Sequence, residues 1–418
     1  MTKLNFGRVS IRVLTLACTL AFGAAVLPYT ASVAVAQDKK EKAEKGPQVS
    51  AKVGKPLKAA QDAITAKNWK EAKAKIDEAN AMPDKTPYEV YAIANLLGYV
   101  QVNMQDYVGA AKSFETTLNS EFTPADQKIA TAKSVAQLNY QNKNYAKVAQ
   151  YGGMYLKENA GDSDMHMMVG QAYYLQNDFP NAAKSLKAAV DTAEKAGKTP
   201  KEDWLQLLMS ADYEQKNEAG LLNTLQKIVA LYPKGQYWDQ LIQLQEKEIN
   251  ASGKFDLEIY RLRMHIGSKM EPDELREVAE LAIQAGLPGE AQKAMAAAAA
   301  TGAKTERDTR LSGMAKTQAE NDKKTLADSE KAAAAAPTGE PLIKTGEAYL
   351  TYDNPVKAIE LIQAGIKKGA KDPDRAKLRL GVAQLEAKQT AEARKTFASV
   401  TAGTPYGKLA KLWALSAR

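Results

Sequence analysis

The chain has 418 residues with a formal net charge of +8, and its basic residues are interleaved with acidic ones, as in residues 70–75 and 246–248. Such interleaving is typical of solvated helix faces and leaves no basic stripe for nucleic acid. The one cysteine, Cys18, falls inside a predicted export signal, which excludes a disulfide, a thiolate zinc site and a cysteine nucleophile from the processed chain.

Residues 1–36 have the organisation of a cleavable signal peptide. Three basic residues precede an apolar run over residues 13–27, and small residues at 34 and 36 form a cleavage site before Gln37. We therefore expect the processed chain to begin at Gln37, with a net charge of +5, and to be periplasmic or secreted. The alternative is a lipoprotein acylated at Cys18, but the residues before that cysteine do not fit the acylation pattern.

Residues 37–55 are rich in lysine and glutamate and have no repeating apolar stripe, so we predict a charged flexible linker. No later segment has the roughly 20 consecutive apolar residues that a membrane span requires. We therefore expect no transmembrane span in the processed chain.

From residue 56 onward one pattern recurs, in which a small residue on one helix is followed by a polar turn and by an alanine and a bulky apolar residue on the next helix. It is seen in Gly170, Phe179, Ala182 and Leu186. The residue that ends the turn occurs at ten positions, which are Trp69, Tyr107, Tyr145, Phe179, Glu218, Phe255, Pro288, Lys324, Pro355 and Thr390. Their spacing averages about 36 residues, which indicates an array of helical repeats.

The pattern has a simple packing explanation. Two facing helices approach closely where a side chain is nearly absent, so residues such as Gly98 and Gly381 are expected to face large residues of the second helix. Apolar residues of that helix at i, i+4 and i+7, as in Ala393, Phe397 and Val400, form its buried stripe. At the end of the chain, residues 406–415 form one more amphipathic helix, suited to cap the last pair.

These units resemble the tetratricopeptide repeat family. The resemblance rests on segments such as Val169-Gly170-Gln171-Ala172-Tyr173, followed by residues 177–182 and Leu186, and spans about residues 57–418. It implies an all-α fold, an α-solenoid of stacked antiparallel helix pairs that forms a superhelix of about nine to ten units.

One stretch of the array departs from the pattern. In residues 305–340 the apolar positions are filled by Ala315, Ala327 and Lys331, so little apolar area is available for burial. We expect a degenerate repeat or an articulation there. It would separate an N-terminal array at residues 56–304 from C-terminal repeats and a capping helix at residues 341–418.

A partner-binding face is predicted on the first helix of each unit. Positions three before, one after and four after the small residue lie along one helix face, and the resemblance implies that this face lines a concave groove. The predicted groove residues are Asn95, Tyr99, Lys133, Gln137, Tyr140, Met167, Gln171, Tyr174, Gln206 and Tyr213. Such polar and aromatic side chains suit an extended peptide or a glycan strand. The alternative is that the tyrosines pack between neighbouring repeats.

The equivalent face of the later units is more apolar. It consists of Ile343, Glu347, Leu350, Leu378, Val382 and Leu385. We expect this face to be buried, either against a partner or against the superhelix itself.

No constellation of catalytic or metal-binding residues is present. The two histidines, His166 and His265, lack a second ligand at i+3 or i+4, and the pattern Gly-x-Ser-x-Gly does not occur. We therefore predict no enzyme activity, no cofactor and no metal. The leading hypothesis is an exported, non-enzymatic scaffold or adaptor that binds an extended protein or peptide segment in the bacterial envelope. The alternative is a carbohydrate-associated protein in polysaccharide or peptidoglycan handling.

Overall fold

In the computed structural model, residues 47–302 and 305–417 are described, and all their regular secondary structure is α-helical. The predicted signal peptide and most of the predicted linker lie outside the described residues. The helices are α1 (Ala51–Thr65), α2 (Trp69–Asn80), α3 (Pro87–Asn103), α4 (Tyr107–Leu118), α5 (Ala125–Gln141), α6 (Tyr145–Glu158), α7 (Ser163–Leu175), α8 (Phe179–Lys195), α9 (Glu202–Glu214), α10 (Glu218–Leu231), α11 (Gly235–Ile249), α12 (Asp256–His265), α13 (Pro272–Gln284), α14 (Pro288–Ala300), α15 (Glu306–Ala335), α16 (Glu340–Thr351), α17 (Pro355–Gly369), α18 (Pro373–Glu386), α19 (Thr390–Ala398) and α20 (Pro405–Ser416).

The chain divides into two compact units, one ending at Leu221 and the other beginning at Leu222. Residues 305–340 therefore lie inside the second unit. In each unit, consecutive helices form pairs and each pair packs on the next, as in α7 with α8 and α8 with α9, or α16 with α17 and α17 with α18. This arrangement confirms the predicted all-α fold of stacked helix pairs. None of the helices described is long and apolar enough to cross a membrane.

Helix α1 begins at Ala51, so the last five residues of the segment expected to be a linker, 51–55, are helical instead. Ser50 caps its first turn through the backbone N–H of Val53. The backbone N–H of Ser50 also donates to Oε1 of Glu89, at 2.8 Å. Because Glu89 lies in the first turn of α3, this bond connects the starts of the first two helix pairs.

The turns within helix pairs follow the predicted positions closely. Nine of the ten predicted residues begin the second helix of a pair or, in the case of Phe255, immediately precede it. Two residues earlier in these turns the backbone has a positive φ, at Lys67, Gln105, Lys143, Asn177, Lys216, Gly253, Gly286, Asp353 and Lys388. Asparagine or aspartate often follows and caps the second helix, as Asp106 does by accepting from the N–H of Gly109 at 2.9 Å.

The tenth predicted turn, at Lys324, is wrong. Lys324 lies in the middle of α15, a single helix of 30 residues that occupies the place of a helix pair. The reason is local, because this stretch has no residue with positive φ and is rich in alanine and lysine, which favour a helix. Its buried side is a narrow stripe that includes Leu311, Ala315, Ala319, Leu326 and Ala333.

The small residues on first helices do face large ones. A Cβ atom placed on Gly98 would lie 2.9 Å from the ring of Phe114, and one placed on Gly170 would lie 2.7 Å from Cγ of Leu186. Gly381 has the same relation to Phe397. The predicted packing of small against large residues within the pairs is therefore confirmed at these positions.

Candidate functional site

The predicted groove residues lie on the first helices of the N-terminal unit and differ widely in exposure. Met167 and Gln171 are buried, with 0% and 1% of their surface exposed, and Tyr140 is buried as well. The half-buried residues are Tyr99, Lys133, Gln137, Tyr174 and Gln206. Asn95 and Tyr213 are exposed. About two thirds of the predicted face is thus accessible at least in part.

Hydrogen bonds connect the first helices across repeats. The hydroxyl of Tyr140 on α5 donates to Oε1 of Gln171 on α7, at 2.7 Å. The hydroxyl of Tyr174 on α7 lies 2.8 Å from Oγ of Ser210 on α9. For Tyr140 and Tyr174, packing between neighbouring repeats is therefore observed.

The same tyrosines also contact the aromatic residues that end the turns. Tyr140 and Tyr174 meet Tyr145 and Phe179 edge to face, with ring centroids 6.2 and 5.4 Å apart. Tyr99 meets Trp69 of the preceding pair in the same way, at 6.0 Å. These contacts fix the ring orientations, which leaves less aromatic surface open on this face.

Lys133 is the only charged residue among the ten predicted positions, and a neighbouring acid compensates its charge. Its Nζ lies 2.7 Å from Oδ2 of Asp162 and 3.3 Å from the hydroxyl of Tyr155. Burial alone would lower the pKa of Lys133, but the bonds to Asp162 and Tyr155 outweigh it and raise that pKa. Burial likewise opposes ionisation of Asp162, but Lys133 and the N–H of Met165 lower its pKa. The face is therefore polar but close to neutral.

In the C-terminal unit the equivalent face is closed. Ile343, Glu347, Leu378 and Val382 are all less than 9% exposed, and Leu350 and Leu385 are half-buried. The unit itself covers these residues, because α16 packs against α17 and α18, and α18 packs against α19 and α20. Burial against the array itself, one of the two expectations from the sequence, is what the structure shows.

A largely buried group of acidic and basic side chains lies in this unit. We call it the ion cluster, and it consists of Glu258, Arg261, Glu290, Glu347, Arg375 and Arg379. Arg261 donates through Nε and Nη2 to both carboxylate oxygens of Glu290, at 2.7 and 2.6 Å, and through Nη1 to Glu258, at 2.5 Å. Arg375 donates to Glu347 at 2.6 Å. The cluster therefore joins α12 and α14 to α16 and α18.

Arg379 lies at the centre of the ion cluster. Its guanidinium is 3.8 Å from Glu258 and 3.6 Å from Glu347, so it pairs with both carboxylates without a close hydrogen bond to either. Burial would raise the pKa of Glu258, but Arg261, Arg379 and Arg375 outweigh burial and lower it. For Glu347 burial is the larger effect and raises the pKa.

Sequence analysis did not find the ion cluster. The only signals were pairs spaced along one helix, Glu258 with Arg261 and Arg375 with Arg379, which are also typical of exposed helix faces. Glu258 and Arg379 are far apart in the sequence, and only the fold brings them together. No group of three or more potential metal ligands occurs among the described residues.

The fold defines an all-α protein built from repeated helix hairpins, with a neutral polar face in one unit and a closed face in the other. Residues 344–408 match the family model of the tetratricopeptide repeat, over most of α16, all of α17, α18 and α19, and the start of α20. This segment of the chain is thus similar to the tetratricopeptide repeat.

Comparison with solved structures returned matches at low identity and low TM-score. A tetratricopeptide repeat protein from Parabacteroides merdae shares 12% identity, with 80% of this chain and 100% of that chain covered and a TM-score of 0.31. MamA from Desulfovibrio magneticus RS-1 shares 13% identity over 47% and 97% of the two chains, with a TM-score of 0.30. The TPR2AB domain of yeast Sti1, in a complex with pHSP90, shares 13% identity over 70% and 100%, with a TM-score of 0.24. No curated protein matches the chain significantly.

Proposed function

We propose that this protein is an exported, non-enzymatic adaptor of the bacterial envelope that binds an extended, uncharged segment of a partner protein. The binding face is the first-helix face of the N-terminal unit. The observation that supports this proposal most directly is the accessible set Asn95, Gln137, Gln206 and Tyr213, which lies on three first helices of that unit.

The chemistry of this set suits a peptide backbone. Asparagine and glutamine amides each offer donors and acceptors, as a peptide group does, and tyrosine adds apolar area with one hydroxyl. Since Asp162 compensates Lys133, the face offers no strong attraction to a charged segment. The bonds from Tyr140 to Gln171 and from Tyr174 to Ser210 hold successive first helices in register, so little ordering is needed on binding.

The test replaces the accessible set together, as Asn95→Ala, Gln137→Ala, Gln206→Ala and Tyr213→Ala in the full chain. Crosslinking in intact cells first identifies the bound partner, and calorimetry then measures its Kd. We expect Kd to rise at least about tenfold, or ~1.4 kcal/mol. The matched control replaces exposed residues of second helices, with Lys112→Ala, Gln150→Ala and Lys187→Ala, and should leave Kd unchanged. Equal affinities for the two variants would contradict the proposal.

A glycan remains the alternative ligand, because glutamine and tyrosine side chains also suit sugars. The structure favours a peptide, since Tyr213 is the one tyrosine of the predicted face with more than a third of its surface exposed. Tyr99 and Tyr174 contact other aromatic rings instead of offering open faces. Titration with peptidoglycan fragments distinguishes a peptide ligand from a glycan ligand. Saturable binding of the fragments that is lost on Tyr213→Ala would favour the glycan.

Export is proposed from the sequence of residues 1–36. The expected processed form begins at Gln37, and mass spectrometry of the protein recovered from the periplasm or the medium measures this directly. Arginine in place of Ala36 should block cleavage, because the site requires a small residue there. Recovery of the uncleaved chain from the cytoplasm of cells with the native sequence would contradict export.

A further inference from the structure

Helix α20 is almost fully enclosed by the C-terminal unit. Of its twelve residues, Pro405 to Ser416, only Lys411 is exposed, and Leu409, Leu412 and Trp413 are at most 2% exposed. The last helix of a repeat array ordinarily turns a polar outer face to water. Here the other eleven residues of the last helix are at least partly covered.

On one side, α20 packs where the first helix of a further repeat would lie. It contacts α18 and α19, and the ring of Trp413 stacks over Phe397 with centroids 6.4 Å apart. Nε of Arg394 donates to the carbonyl of Ala417 at 2.9 Å. These contacts account for its role as a cap.

On the other side, α20 contacts α11 and α12, from much earlier in the sequence. Tyr406 meets Phe255 edge to face at 5.0 Å, and Trp413 lies 4.7 Å from the ring of His265. Lys408 forms an ion pair with Glu248. A helix that only capped the last pair would not need these contacts. They show that the surface around α20 presents aromatic rings, at Phe255 and His265, and an acidic side chain, at Glu248.

The pattern on α20 is that of a helix bound in a groove. Tyr406, Leu409 and Trp413 are spaced i, i+3 and i+7, which places them along one side of the helix. The connection from α19 includes three exposed residues, 401–403, and Gly403 has a φ of +83°. The helix is therefore joined to the unit by a short exposed turn, which Thr401 holds to α18 by donating to Asp374 through its backbone N–H and its hydroxyl.

The surface that receives α20 is held together by contacts that do not involve α20. The ion cluster joins α12 to α16 and α18, with Arg375 on Glu347 at 2.6 Å and Arg379 between Glu258 and Glu347. His265 also lies 3.5 Å from Glu386 of α18. These pairs connect the two sides of the surface directly, so its walls do not depend on α20 alone.

We propose that the surface formed by α11, α12, α18 and α19 is a binding site for an amphipathic helix and that α20 occupies it in cis. When α20 is released, the site binds a helix with the α20 pattern in trans. This site is separate from the neutral polar face of the N-terminal unit, so the two can bind different partners.

The test uses the full chain with Leu409→Asp and Trp413→Asp, which release α20, and a labelled peptide of residues 403–418 with the native sequence. Hydrogen exchange should rise at least tenfold over residues 235–265 in this variant and return towards the native rate when the peptide is added. The peptide should bind the variant at least tenfold more tightly than the native chain, whose site is already filled. A control peptide with Leu409→Ala and Trp413→Ala should bind at least tenfold more weakly.

Three outcomes would overturn the proposal. Unchanged exchange over residues 235–265 on release would mean that α20 does not cover α11 and α12. Equal binding of the native and control peptides would mean that the site does not recognise the α20 pattern. Loss of helix in α11–α19 would mean that the site does not exist without α20.

A charge reversal provides a second, milder measurement. Glu248→Lys in the released chain should weaken the native peptide about twofold to fivefold, since exposed ion pairs contribute little. A peptide with Lys408→Glu should regain that loss on the Glu248→Lys chain. Failure of the reversed pair to recover binding would contradict the observed orientation of α20 in the site.

Discussion

At the residue scale, the turns within helix pairs require one residue with positive φ, and only some of the turns have glycine at that position. Seven of the nine turns place a residue with a side chain at the position with positive φ, four of them lysines. For such residues this conformation costs roughly 1 to 2 kcal/mol relative to a right-handed one. Each turn therefore contains a small strain that the packing of the two helices offsets.

We predict that Lys143→Gly stabilises the N-terminal unit by about 0.5 to 1 kcal/mol. Lys143 is exposed with φ of +57°, and glycine adopts this conformation without the steric cost, although it loses more backbone entropy on folding. Urea denaturation followed by circular dichroism measures the change. The matched control is Lys112→Gly in the exposed interior of α4, which should destabilise by about 1 kcal/mol. A lower midpoint for Lys143→Gly would show that the turn is not strained.

At the element scale, the start of α7 shows how one carboxylate organises several helices. Asp162 caps α7 through the N–H of Met165 and also binds Lys133 of α5 and the hydroxyl of Tyr155 on α6. Three helices from two pairs therefore meet at one side chain. This contact also removes the charge of Lys133 from the predicted binding face.

We predict that Asp162→Asn destabilises the N-terminal unit by about 1 to 2 kcal/mol at pH 7. Asparagine keeps the cap but loses the charged bond to Lys133. Because the pKa of Asp162 is lowered in the folded chain, its contribution is complete above the unfolded pKa of about 3.9 and is lost as pH falls through the folded pKa. In denaturation curves measured from pH 7 downwards, the difference between native and variant should therefore shrink as pH falls through the folded pKa of Asp162 and vanish below it.

The control for this prediction is Asp178→Asn, which changes a cap of the same kind on α8. Asp178 binds the N–H and the side chain of Asn181 and has no ion pair among the described residues. Its substitution should cost less than that of Asp162. If the cost of Asp162→Asn did not change with pH, the pairing with Lys133 would contribute nothing to stability.

At the scale of the whole molecule, α15 interrupts the alternation of helix pairs in the C-terminal unit. It packs on α13 and α14 through Leu311 and Ala315 and on α16 through Leu326 and Ala333. Tyr352, directly after α16, donates to Asp322 at 2.6 Å, and Tyr349 donates to Glu330 at 2.9 Å. One continuous helix therefore lies where the period would place a helix pair, in the stretch that we expected to be a degenerate repeat or an articulation.

We predict that Lys324→Pro destabilises this unit by about 3 kcal/mol or more, because proline in a helix interior removes a hydrogen bond and clashes with the preceding turn. If Lys324 ended a turn, as its spacing suggested, proline would be tolerated there as it is at Pro288 and Pro355. Thr390→Pro is the matched control, since Thr390 is the first residue of α19 and proline is accepted at that position. Similar denaturation midpoints for the two variants would contradict a continuous α15.

Much of the fold could be predicted because its signals are local. Gly98 faces Phe114 within one helix pair, and the residues that end the turns and cap the helices also contact partners within about 36 residues. The residues that specify one repeat therefore lie within that repeat. The turn predicted at Lys324 was wrong because it rested on the repeat spacing alone. The stretch around Lys324 lacks the residues that form the turn in the other repeats. The division between the compact units at residues 221 and 222 had no local signal at all.

The sequence by itself determined the class of fold, the helix pairs and the first-helix face, since short-range periodicity and turn chemistry specify all three. Only the tertiary structure decided which residues of that face are open, because Tyr140, Met167 and Gln171 are covered by neighbouring repeats. The ion cluster and the enclosure of α20 were decided in the same way. Arg379 and Glu258 lie more than 100 residues apart in the sequence and Lys408 and Glu248 lie 160 apart, and no periodic signal in the sequence spans such distances.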